Sequence, residues 1–281
     1  MNEVPELKDL LIPAFTTYFR TNRWKGDGYH CKTEYLIPSV DPKRLEAYRM
    51  KFNAKEELPL TFLYLLSQRV QTSQMLEREF PFSIPGMIHV KTRIEQCANI
   101  KADEAIRIES TVDIVNKGKG SLLPQFDENY YQNGELVGKI HSLYLIKRKG
   151  KKKKKKKAKD SLHVGEDSNW IQFDWKIPRN EGWSYAKLSG DYNPIHISSI
   201  FAWMTGFKHK IVHGWNLASR IVAEIEKETD MPAKAMHIEF LKPVEMPSSL
   251  LFEFRLSSNR NLEFRIQNKK SEEYCVSGEI F

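Results

Sequence analysis

Two periodicities of apolar and polar residues follow one another along this chain, and they do so twice in the same order. Leu58 to Leu76 is apolar on nearly every side and carries Pro59 near its start, which predicts a buried helix. Before it, Tyr35 to Val40 reads as extended. Asp41-Pro42 then opens a short helix, with the acid as cap and the proline in the first turn. After it, Met87 to Ile94, Ala105 to Val115 and Leu136 to Ile146 alternate apolar with polar and are rich in β-branched residues, as strands with one buried face are. The order then returns. Trp170 to Ile177 reads as a strand, Trp183 to Leu188 as a short helix and Gly214 to Glu228 as a long helix. Ala235 to Phe240, Leu250 to Leu256, Leu262 to Gln267 and Tyr274 to Phe281 read as strands.

The two copies can be aligned. Ile94-Glu95 is followed six residues later by Ile100, and Ile238-Glu239 six residues later by Val244. Tyr48 and Tyr185 each close the short helix, and Leu60 matches His213 at the head of the long one. Tyr48 and Leu60 are 12 positions apart, Tyr185 and His213 are 28 apart, so the first copy lacks about 16 residues there. That extra segment carries Asp191 and His196. A duplicated unit that lost its loop in one copy predicts a single active site, in the second copy.

Composition changes this picture little. With 281 residues and 41% hydrophobic content, the chain can build one large or two ordinary cores. The formal charge of +8 has a local origin. Residues 147–159 hold 11 of the 44 basic residues, leaving 33 basic against 36 acidic elsewhere. A lysine run without interleaved aromatics reads as a solvated linker over 147–160, not as a nucleic-acid surface. No apolar run reaches the ~18 residues of a membrane span, and the N-terminus lacks the cationic start of a leader. Three widely spaced cysteines, Cys31, Cys97 and Cys275, point to a reducing, cytoplasmic setting without a disulfide frame. There is no phosphate loop, no Gly-x-Ser-x-Gly elbow and no His-Glu-x-x-His, and the eight histidines do not cluster as metal ligands, so neither cofactor nor metal is expected.

The remaining chemistry lies in Tyr185-x-x-Leu188-Ser189-Gly190-Asp191-x-Asn193-Pro194-Ile195-His196, then Ala202, then Ile211-Val212-His213-Gly214 with Ser219. An acid and an imidazole five residues apart on a Gly/Asn/Pro turn can exchange protons near neutral pH. A glycine at a helix start offers N–H groups to a developing negative charge.

This stretch resembles the hydratase signature of the MaoC-like dehydratases and R-specific enoyl-CoA hydratases, over roughly residues 170–281. The resemblance implies an α+β double hotdog, with two antiparallel sheets each wrapped around one long central helix and joined edge to edge. Residues 1–146 would form a degenerate repeat that binds the acyl chain, and 161–281 the catalytic repeat. The loop missing from the first repeat would free space for a longer or bulkier chain. The implied reaction is reversible hydration of trans-2-enoyl thioesters to (R)-3-hydroxyacyl thioesters, with Asp191 and His196 acting on water and Gly214 N–H on the thioester oxygen. Gly190, Asn193 and Pro194 shape the loop, and His213 orients it or caps the helix. The substrate is carried on CoA or an acyl carrier protein. Whether the pseudo-dimer pairs further, as a homodimer, is left open. A non-catalytic acyl-thioester-binding module and a thioesterase fit the same fold and are the competing readings.

Overall fold

The computed structural model describes residues 2–20, 24, 26, 28–114, 122–146, 169–257 and 259–281. The lysine-rich segment, and with it the linker expected at 147–160, lies outside the described residues.

Alternation becomes strand in both halves. The first half contains β1 (Asn2–Glu3), α1 (Leu7–Thr16), β2 (Tyr29–Ile37), α2 (Pro42–Phe52), α3 (Leu60–Leu76), β3 (Ile88–Gln96), β4 (Ile106–Ile114), β5 (Gln125–Gln132) and β6 (Glu135–Leu145). The second contains β7 (Ile171–Ile177), α4 (Glu181–Ser189), α5 (Pro194–Ile197), α6 (Ser199–Met204), α7 (Gly214–Thr229), β8 (Ala235–Phe240), β9 (Ser248–Leu256), β10 (Leu262–Asn268) and β11 (Tyr274–Ile280). Asp41 caps α2 as its sequence demands, its Oδ1 accepting from Lys43 N–H at 3.0 Å.

All eleven strands form one sheet in the order β1-β2-β4-β5-β6-β3-β8-β11-β10-β9-β7. Leaving out β1, which lies parallel on the edge at β2, the order of the second half is that of the first read backwards. The halves meet where β3 pairs antiparallel with β8, and there Arg93 faces His237. The alignment that matches Ile94 with Ile238 also matches Arg93 with His237. Each residue therefore faces its own repeat equivalent, the signature of a two-fold axis through that pair. The join removes one exposed edge from each half.

Helices α3 and α7 fill the concave side, so each half is a hotdog. α3 is buried on almost every face, including Leu63, Tyr64, Leu66 and Val70, because the sheet, α1 and α7 all border it. α7 buries Trp215, Leu217, Ala218, Ile221, Val222 and Ile225 and turns Lys227 outward. Its first turn and that of α3 correspond, with Leu60 and Gly214 as first residues. The match made in the sequence is thus offset by one position. Tyr48 and Tyr185 both lie inside their helices, not at the ends.

Three features escape the pattern. β5 carries Glu128 on its buried face between Phe126 and Tyr130, and that carboxylate breaks the alternation. α1 is hidden by Pro13. α5 and α6 together are only ten residues long.

Candidate active site

α4 ends at Gly190, whose φ of +77° is the left-handed closing conformation that glycine adopts at little cost. The chain then turns through Asp191 to Asn193. Asp191 N–H donates to Ser189 Oγ at 3.1 Å, and Asn193 N–H donates to Asp191 Oδ1 at 3.1 Å. Asn193 Oδ1 accepts from Ile195 N–H at 3.3 Å, and Pro194 occupies the first turn of α5. Gly190, Asn193 and Pro194 therefore shape this loop, and α5 delivers His196 to its buried side.

Asp191, His196 and His213 converge. One carboxylate oxygen and one ring nitrogen from each histidine all lie within 4.8 Å of one another. The two imidazoles stack with centroids 3.8 Å apart and planes at 28°. Backbone carbonyls fix both tautomers. His196 Nδ1–H donates to Ile211 O at 2.8 Å, which leaves Nε2 with its lone pair. His213 Nε2–H donates to Asp191 O at 2.9 Å, so His213 holds the loop from the head of α7. Although His213 stands at the N-cap position, its side chain makes no capping bond.

Burial pushes both imidazoles below their ordinary value, His213 down to about 3 with His196 adding to the effect. Both are therefore neutral at neutral pH. Burial alone would raise the Asp191 carboxyl. Attraction to an adjacent imidazole whenever one is protonated, together with the hydrogen bonds from Gln68 and Asn193, outweighs it and holds the group below its usual value. An ionised carboxylate and a neutral imidazole with a free lone pair, at this separation, can share one water between them.

Residues of the first half hold this loop. Gln68 of α3 donates from Nε2 to Asp191 Oδ2 at 2.8 Å. Arg44 of α2 donates to the Leu188 and Ser189 carbonyls at the end of α4, and its Nη1 pairs with Glu6 at 2.8 Å. Gly182 lets α4 approach α5: a Cβ there would stand 2.0 Å from the His196 carbonyl oxygen. None of these three carries a local sequence signal, since each acts across the fold.

Gly214 is the first residue of α7, so its N–H lies outside the helical ladder. A Cβ there would come 2.7 Å from Phe240 Cε1. Trp215, next in sequence, stacks on Tyr64 at 3.7 Å between centroids, and Tyr64 stacks on His89 at 5.4 Å. A wall of stacked rings thus stands beside the glycine, on the side of the first half. Ser219, the remaining residue of the second motif, serves packing. Its Oγ donates to Trp215 O at 2.7 Å and meets Tyr48 OH at 2.5 Å. An open groove of about 490 Å³ between α2 and α4, lined by Lys51, Trp183 and Lys187 among others, includes none of the three converging residues.

Two imidazoles and a carboxylate are also a donor set for a divalent cation. The stacking argues against that use. In-plane lone pairs of near-parallel rings run side by side and do not meet at one ion, and both Asp191 oxygens already accept hydrogen bonds.

Residues 148–275 match the family model for the MaoC like domain. The 3-hydroxyacyl-thioester dehydratase X of Mycobacterium tuberculosis is 26% identical over 216 residues, covering 75% of this chain and 75% of that protein. The peroxisomal multifunctional enzyme type 2 of Mus musculus is 26% identical over 187 residues, covering 64% of this chain and 25% of that protein, so the chain spans about a quarter of its length. Among solved structures, HtdX of Mycobacterium tuberculosis superposes with a TM-score of 0.70 at 20% identity, over 90% of this chain and 99% of that one. At that identity the likeness establishes the shared double-hotdog fold.

Proposed function

We propose, on the match of residues 148–275 to the family model for the MaoC like domain, that this chain is a hydro-lyase that interconverts trans-2-enoyl and (R)-3-hydroxyacyl thioesters. The carrying observation is the convergence of Asp191 and His196, with His196 Nε2 left with its lone pair.

In the hydration direction, water sits between Asp191 and His196 Nε2. As its oxygen attacks Cβ of the enoyl group, one water proton passes to Nε2. The carbon–carbon π pair moves toward Cα, and negative charge develops on the thioester oxygen, where the Gly214 N–H at the start of α7 receives it. Asp191 stays ionised and stabilises the imidazolium. The proton on Nε2 then moves to Cα, completing the addition of one water with no net change in the enzyme. Dehydration runs the same steps in reverse. Losing one oxyanion donor costs ~10²–10³ in rate in comparable sites.

The first half supplies the loop support through Gln68 and Arg44, and the acyl group extends past Cβ toward it. The carrier is CoA or an acyl carrier protein. The test is incubation with (R)- and (S)-3-hydroxyacyl-CoA of short and long chain, followed by chromatography of the products. Formation of enoyl-CoA from the R isomer alone is expected. Conversion of the S isomer would overturn the stereochemistry, and release of free CoA would favour a thioesterase.

A further inference from the structure

Large exposed apolar side chains gather on two adjoining helices. On α1 and the turn that follows it, Ile12, Phe15, Tyr18 and Phe19 face outward, Phe19 at 82% exposure. On α6, Ile200, Phe201, Trp203 and Met204 do the same, Trp203 at 72%. Phe15 and Phe201 join the two sets edge to face at 5.8 Å. Isolated exposed apolar residues are ordinary, but eight on two helical segments joined by a ring contact mark a surface that meets something apolar.

The surface is held firmly and is no frayed end. α1 buries Leu7, Leu10 and Ala14 beneath it. Arg69 donates to the Val4 and Pro5 carbonyls at 2.6 and 2.9 Å. Arg20 donates to the Met75, Leu76, Phe80 and Phe82 carbonyls and so ties the far end of this segment to the end of α3. Three residues separate the end of α6 from Lys208-His209-Lys210, of which Lys208 and His209 are exposed.

We infer that α1 and α6 form a docking surface for an anionic phospholipid bilayer, with Phe19, Ile200, Trp203 and Met204 entering the interfacial region and Lys208 and Lys210 meeting the lipid phosphates. Charge decides for lipid over a second copy of the chain. The cationic segment Lys208–Lys210 follows the apolar set in sequence, and an anionic surface complements it. Indole and phenol rings beside aliphatic side chains also suit the bilayer interface, where one end of the ring is apolar and the other wet. Because α6 follows α5 and His196 directly, docking here sets the active-site loop against the membrane, where acylated substrates partition. This inference does not depend on the proposed reaction.

Flotation with vesicles tests it. The full chain is mixed with phosphatidylcholine vesicles and with vesicles that also contain phosphatidylserine, next to Phe19→Ser/Trp203→Ser and Lys208→Glu/Lys210→Glu. Each is repeated in a chain whose Lys151 to Lys157 are replaced by Ser, so that adsorption by the lysine run is separable. The expected result is preference for the anionic vesicles that persists without the lysine run. It falls roughly tenfold or more in the apolar double variant and loses its lipid-charge preference in the Glu variant, with melting temperature and turnover of a soluble substrate unchanged. Vesicle binding that disappears with the lysine run, or is indifferent to Phe19→Ser/Trp203→Ser, overturns the proposal. A dimer in light scattering that dissociates in the apolar variant, without vesicle binding, assigns the surface to a second copy.

Discussion

Gln68 and Asp191 stand 123 residues apart and belong to different halves, yet Gln68 Nε2 donates to Asp191 Oδ2 at 2.8 Å. The half without the acid and the imidazole therefore helps hold the acid in place. A duplicated fold in which one copy lost its loop keeps its long helix, and the helix supports the surviving site.

Gln68→Leu should lower kcat/KM by about 10–100-fold with little change in melting temperature, the size of effect expected when a catalytic group is misplaced. The bond favours the charged carboxylate, so its loss raises the Asp191 value. The acid limb of the pH–rate profile should move to higher pH. A limb that stays in place would show Gln68 to be packing only.

Gly182→Ala and Gly214→Ala should differ in kind. The added Cβ at 182 meets the His196 backbone carbonyl at 2.0 Å, whereas that at 214 meets the Phe240 ring at 2.7 Å. A backbone cannot step aside, so Gly182→Ala should cost more than about 3 kcal/mol and displace His196. Gly214→Ala should cost about 1–3 kcal/mol, and Phe240→Leu should restore most of it. Thermal melts of the single and double variants decide this. A tolerated Gly182→Ala would contradict the packing described for α4 and α5.

Sequence alone reaches the repeat and the site loop for a physical reason. Asp191, Asn193 and Pro194 act through neighbours one or two residues away, and His196 stands five residues from Asp191 on the same turn, so their spacing records their geometry. Gln68, Arg44 and Gly182 act across the fold, and nothing local distinguishes them from any other helix residue. β5 escapes because Glu128 stands on its buried face. α5 and α6 escape because helices of four and six residues are too short to show a period. The one-residue offset between Leu60 and His213 has the same origin, since helix starts follow caps more closely than apolar matches.

Stability should fall most steeply as pH drops below about 4.5. Burial pushes His89 and His213 down to about 3 from 6.5, so between those values the unfolded chain binds more protons and folding weakens as pH falls. Each contributes about 1.4 kcal/mol per pH unit in that window. Burial pushes Glu128 and Glu226 up to about 7 from 4.5, which acts in the opposite sense between those values. The acids counter these histidines, and His196 with them, only until the acids are protonated in both states. Glu128→Gln removes one opposing group, so its melting temperature should exceed that of the parent at pH 8 and begin to fall nearer pH 6.5. Parallel curves for the two proteins would rule this out.

Removal of metal should leave turnover unchanged. The stacked imidazoles of His196 and His213 do not aim at one ion, so a strong chelator should have no effect and added zinc should not activate. Activity lost to the chelator and restored by zinc would replace the water-sharing reading with a metal site.

The most direct test is the loss of enoyl-thioester absorbance when the purified chain meets crotonyl-CoA and longer 2-enoyl-CoA substrates, beside Asp191→Asn and His196→Gln. The account predicts turnover by the parent and a fall of ~10²–10⁴-fold in either variant, with the fold intact. Undiminished turnover in Asp191→Asn, or none by the parent on any CoA or carrier-protein substrate, would contradict it.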